Sequence, residues 1–149
     1  MKRNDRLSVA LHVLLHMAER NGAPMTSAEM AACVETNPVV IRRTFAGLRE
    51  AGIVTSDKGH GGGWRLARPA ADIALADVQR ALGESIVPLS LREESPGCLV
   101  ERAVVEAVDD ALREAEKVVE ARLARLSLAD LAHRVQHISA VTGHKLKGA

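Results

Sequence analysis

Over the first twenty positions the apolar residues Leu7, Ala10, Leu11, Leu14, Leu15 and Ala18 fall on one helical face, and Asn21, Gly22, Ala23 and Pro24 follow them. The pattern predicts a helix closed by a turn. Thr26 stands three residues before Glu29 as a capping box, opening a short helix expected to turn Ala28, Ala31, Ala32 and Cys33 inward. The turn Glu35, Thr36, Asn37 then delivers Pro38 to the first position of a third helix, which runs to Ala51 and stops at Gly52. In that helix Val40, Ile41, Thr44, Phe45 and Leu48 form the inward stripe. Val39, Arg42, Arg43, Ala46 and Arg49 lie on the opposite face.

A short helix, a tight turn and a second helix with outward arginines near its start make a helix-turn-helix. Its second helix enters the major groove N-terminus first, where arginine bonds a guanine edge bidentately or grips a phosphate. Next come Ile53, Val54, Thr55 and Ser56, a tip from Lys58 to Gly63, and then Trp64, Arg65, Leu66 and Ala67. Two short strands around a glycine-rich tip are a β-hairpin, and a hairpin directly after a helix-turn-helix is a wing. It is expected to carry Lys58, His60 and Arg65 to the DNA, with Gly59, Gly61, Gly62 and Gly63 allowing close backbone approach to phosphate. The glycine run lacks the Lys-Ser/Thr of a phosphate-binding loop and sits inside a hairpin, which argues against a nucleotide site.

Leu75, Val78 and Leu82 define a further short helix, and an extended piece with the polar turn Ser95, Pro96, Gly97 forms a hinge. Residues 99–126 contain no breaker, and 28 residues of helix span roughly 42 Å, more than a compact winged helix needs. Their apolar residues form two adjoining stripes. Val105, Val108, Leu112, Ala115, Val119, Leu123 and Leu126 make one, and Val104, Ala107, Ala111 and Val118 the other. The first can serve the helix's own subunit; the second is expected to meet a symmetry mate, or else to be covered by the C-terminal helix. That last helix starts at Ser127, with Asp130 as cap partner, and aligns Leu128, Leu131, Ala132, Val135 and Ile138.

The expected fold is therefore mainly α. A winged helix-turn-helix domain with a two-stranded wing spans 1–83, a hinge and sensor loop 84–98, and a long dimerisation helix with a short C-terminal helix 99–149. Dimerisation residues are Val104, Val105, Val108, Ala111, Leu112, Ala115, Val118 and Val119.

Composition sharpens this picture. One Phe, one Trp and no Tyr argue against a β-sandwich and against sheets that stack RNA bases on aromatic rings. Residues 1–70 carry ten Lys/Arg against six Asp/Glu, and residues 71–149 ten against thirteen, so the halves are +4 and −3. A basic front half suits a polyanion. No apolar run approaches the length of a membrane span and no signal peptide is evident, so a cytoplasmic protein without a membrane partner is expected. No nucleophile is paired with a base, and Glu93 and Glu94 are adjacent rather than spaced for acid/base work, so no enzyme is expected.

The run GHGGGWRLARPAADIALADVQRAL resembles the signature of the Rrf2 family of bacterial winged-helix regulators, and NPVVIRRTFAGLREAGIV resembles that family's recognition helix. The resemblance implies a homodimer that crosses its long helices, presents two winged helices to a palindromic operator in double-stranded DNA, and reads an effector near the start of the long helix. Pro38, Val39, Arg42 and Arg43 match DNA-facing positions, His60 and Gly61 the wing tip, and Lys2 and Arg3 would reach the backbone. Thr26, Arg49, Lys58 and Arg65 complete the candidate DNA-binding set. Cluster-binding relatives carry three spaced cysteines where this chain has only Cys98, with Ala103 or Val104 and Asp109 or Asp110 at the later positions. No iron-sulfur cluster and no other cofactor is expected.

Cys98, at a helix start, is a candidate thiolate and oxidant sensor, or a small apolar residue left at that position. Cys33 reads as packing. The i,i+4 pairs His12/His16 and His133/His137 could bind a metal, but with no third ligand at a matching spacing they read as solvated polar faces. The effector, oxidant or small molecule, is left open. A metal or small-ligand sensor, or a winged helix docking a protein, are the alternatives.

Overall fold

The computed structural model describes residues 6–83 and 98–143. Lys2, Arg3 and hinge positions 84–97 lie outside the described residues, as do 144–149. The chain forms α1 (Arg6–Glu19), α2 (Ser27–Cys33), α3 (Pro38–Glu50), strands β1 (Val54–Asp57) and β2 (Gly63–Leu66), a 3-10 turn (Ala70–Asp72), α4 (Leu75–Leu82), α5 (Leu99–Ala124) and α6 (Leu128–Thr142). It is mainly helical, with one two-stranded antiparallel sheet.

One core lies beneath α1, α2, α3 and α4. Leu14, Met25, Met30, Ile41, Phe45, Leu48, Ile53, Ile73 and Val78 are all fully buried in it. At about 1.5–3 kcal/mol for each large apolar side chain, this cluster is the main source of stability in the N-terminal part. The buried face of α1 is Ala10, Val13, Leu14, His16 and Met17. It is rotated from the expected stripe, because Leu11, Leu15 and Ala18 are only half-buried. In α2 the buried residues are Met30 and Ala31, while Ala28 and Ala32 face solvent. Packing Met30 and Ala31 inward turns Ala28 and Ala32 to the opposite side of this short helix.

The hairpin pairs Val54 with Leu66, Thr55 with Arg65, Ser56 with Trp64 and Asp57 with Gly63. Met25 adds a third rung beside β2. Its N–H donates to the Trp64 carbonyl at 2.9 Å, and the Trp64 N–H donates back at 2.8 Å. Trp64 is thereby fixed edge-on to Phe45, with ring centroids 5.8 Å apart, and its indole N–H donates to Ser27 Oγ at 3.0 Å. The wing is thus bolted to both α2 and α3.

After α5 the chain returns to this core. Leu75 N–H donates to the Leu126 carbonyl and Leu128 N–H to the Ile73 carbonyl, both at 2.8 Å, and Leu128 is fully buried. A capping box of Ser127 with Asp130 opens α6, as the sequence pattern predicts. From there α6 turns onto α1 and the 3-10 turn rather than along α5. The long helix meets α4, where Arg80 Nε and Glu120 Oε1 lie 3.0 Å apart.

No residue of α5 is buried among the described residues. Val105, Leu112, Val119 and Leu123 are half-buried, and Val104, Val108, Ala111, Ala115 and Val118 are exposed. Val108 and Ala115 therefore belong to the outer stripe rather than the inner one to which their spacing assigned them. Among the described residues no helix is long and apolar enough to cross a membrane.

Candidate nucleic-acid interface

Helix α3 is set at both ends. Pro38 occupies its first turn, and Asn37 Oδ1 accepts from the N–H groups of Val39 and Val40 at 3.0 and 3.1 Å. Asn37, read in the sequence only as part of a turn, satisfies two of the donors that a helix start leaves unpaired. Those donors are consequently not available to a phosphate. Ile41, Thr44, Phe45 and Leu48 are buried, which turns Val39, Arg42, Arg43 and Arg49 outward. Val40, expected inside, is 43% exposed, and Val39 is 64% exposed. Their position in the first helical turn lifts both clear of the core.

The outward arginines differ in their partners. Arg49 Nη1 donates to Ser56 Oγ at 3.3 Å, linking the C-terminal end of α3 to β1. Arg42 and Arg43 have no carboxylate partner among the described residues, whereas Arg68 lies 3.3 Å from Asp77 and Arg65 lies 4.0 Å from Asp57. An exposed guanidinium without an internal carboxylate keeps all its donors for an external anion or base edge.

Lys58, His60 and Gly61 stand exposed at the wing tip. Arg65 sits further back on β2, half-buried, with its Nε shielded from solvent and without a hydrogen-bond partner among the described residues. The glycine run serves the protein's own backbone first. A Cβ at Gly63, where φ is +146°, would stand 2.7 Å from the Met25 carbonyl oxygen, and one at Gly62 would strike the Asp57 carbonyl. Gly63 lets the hairpin close against the loop before α2 and Gly62 lets its own tip fold tightly, roles not foreseen in the sequence.

The hydroxyl of Thr26 is engaged by its own helix. It accepts from Glu29 N–H at 3.2 Å and donates to Glu29 Oε2 at 2.9 Å, while Thr26 N–H donates to that same oxygen at 2.7 Å. These bonds, the backbone one first, hold the Glu29 carboxyl below the usual carboxylate range, and Arg20 at 3.0 Å adds to the effect. Thr26 thus fixes how α2 is presented.

Cys33 is half-buried against the core, and Cys98 is exposed at the N-cap of α5, where its side chain makes no capping bond. His133 and His137 are exposed, but His16, expected on a solvated face, is only 5% exposed. It lies next to the core residues Val13 and Met17 and has rotated inward with them.

A capped helix-turn-helix followed by a wing, with Arg42 and Arg43 on the outward face of its second helix and without carboxylate partners among the described residues, defines a winged helix-turn-helix protein of the kind that binds nucleic acid. The sequence model of the Rrf2 family, described as iron-dependent transcriptional regulators, matches residues 3–134. The chain belongs to that family; it is a transcriptional regulator and not an enzyme. It is 36% identical over 132 residues to the HTH-type transcriptional regulator YwnA of Bacillus subtilis, covering 86% of this chain and 95% of YwnA. A crystal structure described as a DNA-binding protein is similar with a TM-score of 0.67 at 33% identity, covering 85% of this chain and 98% of that one. A transcriptional regulator from Lactobacillus plantarum shares the fold, with a TM-score of 0.75 at 23% identity over 93% of this chain and 95% of that one.

Iron in such a family raises the question of a cluster, which thiolate ligands hold. The chain has two cysteines, one half-buried in α2 and one exposed where α5 begins. The later positions Ala103, Val104, Asp109 and Asp110 carry no sulfur. This donor set does not fit an iron-sulfur cluster.

Proposed function

We propose that this Rrf2-family protein is a homodimeric, sequence-specific DNA-binding repressor that works without an iron-sulfur cluster. The observation that carries the reading is the outward face of α3, where Val39, Val40, Arg42 and Arg43 are all exposed and the two arginines have no carboxylate partner among the described residues. In the major groove the arginines suit guanine O6 and N7, and the valines suit thymine methyl groups. Lys58 and His60 on the wing would add phosphate or minor-groove contacts.

The dimer reading rests on α5. Val104, Val108, Ala111, Ala115 and Val118 recur at alternating steps of four and three residues, the spacing of a coiled-coil seam, and all are exposed. Alanines at its centre allow a second helix to come close. Two α5 helices crossing on a two-fold would present both copies of α3 to the half-sites of a palindrome. Cys98 is exposed at the start of that helix, which supports reading it as the thiol whose oxidation would alter how the subunits meet.

Fluorescence anisotropy of the reduced protein on DNA from upstream of its own gene, with random DNA as competitor, tests this. Arg42→Ala and Arg43→Ala should each cost about 1–3 kcal/mol of specific binding, the range for a bidentate base contact. Retained specific affinity in both variants removes the assignment of α3. Binding with steep salt dependence but no sequence preference favours a protein-docking module instead. If peroxide weakens binding in the parent and in Cys98→Ser alike, the thiol is not the sensor.

A further inference from the structure

His12 and His16 lie one turn apart on α1, and their Nε2 atoms are 3.2 Å from each other. The rings are stacked, with centroids 5.1 Å apart and planes inclined by 26°. His16 is buried, and its position is fixed by the packing of α1. His12 is exposed, so one side of the pair opens to water. On the far side of His16, Nδ1 stands 3.8 Å from Glu19 Oε2.

From this geometry we propose that His12 and His16 form a two-imidazole site for a borderline divalent cation of the zinc and nickel class, completed by water. Two metal–nitrogen bonds of about 2.0–2.1 Å at a tetrahedral angle place their nitrogens about 3.3 Å apart. The observed 3.2 Å separation therefore needs only small side-chain rotations to admit the ion. Neutral imidazole suits these cations, and the Irving–Williams order ranks nickel and zinc above iron(II) and manganese. Glu19 is assigned as a positioning residue: its carboxylate, 3.8 Å from Nδ1 and outside hydrogen-bond length, would draw the His16 proton to Nδ1 electrostatically and leave the Nε2 lone pair for the metal. Without metal, the 3.2 Å contact is an N–H···N hydrogen bond whose direction follows the tautomers, and a proton on His16 Nδ1 would make His12 its donor. On binding, the His12 proton moves to its own Nδ1, which changes no net charge on the protein. The pair lies on a different element from α3 and the wing, so the site stands or falls independently of the DNA reading.

The test is isothermal titration of the tag-free chain with Zn2+ and with Ni2+, beside His12→Ala and the double variant His133→Ala/His137→Ala. His12 is exposed, so its replacement leaves the core intact, and circular dichroism checks that it does. The expected result is one ion per chain, at least about tenfold weaker binding in His12→Ala, and unchanged binding in the double variant, a loss of the size seen when metal-site shells are disturbed. Long-range 15N–1H spectra should show His16 with its proton on Nδ1, and that preference should weaken in Glu19→Gln. Absent binding, binding unaltered by His12→Ala, or binding lost with His133 and His137 overturns the proposal.

Discussion

The first 83 residues and the long helix α5 draw on similar apolar content and use it in opposite ways. In the winged helix, residues from α1, α2, α3 and α4 close around Phe45 and leave it with no exposure. In α5, 26 residues pass without one buried side chain among those described, and Val118 is 70% exposed. A domain that satisfies its own core can keep its polar outward face for a ligand. A helix that leaves valines in water has stability to gain from a second surface. The two parts of the chain are thus physically different: one closes its own core and the other leaves an apolar face uncovered.

Substitutions in the two regions should separate accordingly. The largest effect is expected from Phe45→Ala, which opens a cavity between Trp64, Ile41 and Leu48 and should cost about 3–5 kcal/mol in a denaturant titration. That is a large share of the roughly 5–15 kcal/mol that holds a typical domain together. Val104→Glu with Val118→Glu should behave differently. The winged helix should keep its secondary structure, while sedimentation velocity should show dimers giving way to monomers. If the α5 variant unfolds the winged helix as Phe45→Ala does, the division between the regions is wrong.

The same division explains how much could be read from the sequence. Elements were legible wherever a short-range signal marks them: the Thr26/Glu29 and Ser127/Asp130 boxes, Pro38 and Gly52 at the ends of α3, and the glycine tip of the wing. The outward set Val39, Arg42, Arg43 and Arg49 followed from helical periodicity. What periodicity could not supply was the angle at which a helix meets its neighbours. The buried face of α1 turned from Leu11 and Leu15 toward Val13, His16 and Met17, and Val40 emerged into solvent. Long-range pairings left no local trace either. The bond from Trp64 to Ser27 spans 37 positions, and the return of Leu128 to Ile73 depends on where α5 ends. Asn37 is the exception, because an Asn before Pro at a helix start is a readable cap.

Asn37→Ala probes the link between order and recognition at smaller amplitude. It strips the acceptor from Val39 and Val40 N–H without touching the outward side chains. The expected cost is about 1 kcal/mol of stability. Specific DNA affinity should fall with it, since the frayed turn carries both valines. Ser restores a capping oxygen, so Asn37→Ser should recover most of both losses. Recovery of stability without recovery of affinity would show that Asn37 itself, rather than the cap, meets the DNA.

The smallest expected effect compares the two capping boxes, one within the first 83 residues and one just beyond the end of α5. Glu29 is held below its ordinary pKa by the Thr26 N–H first and then by the Thr26 hydroxyl, and Asp130 likewise by the Ser127 N–H and hydroxyl. For an acid whose folded-state pKa is depressed, the unfolded chain binds the proton first as pH falls. The stabilisation is therefore complete above the ordinary carboxylate values, near pH 4, and drains away as pH drops through the lower folded values. Glu29→Gln and Asp130→Asn keep an acceptor but lose the charge, so each should be slightly less stable than the parent at pH 7, flatten the decline of thermal stability below about pH 4, and converge with the parent in acid. Both groups are solvent-facing, which keeps the amplitude small. Leu128, next to Ser127, is buried in the winged-helix core. The Asp130 box therefore secures the point where the chain rejoins the winged-helix core after α5. If only Glu29→Gln alters the acid limb, α6 frays without loosening that core; equal effects show that the two regions unfold as one.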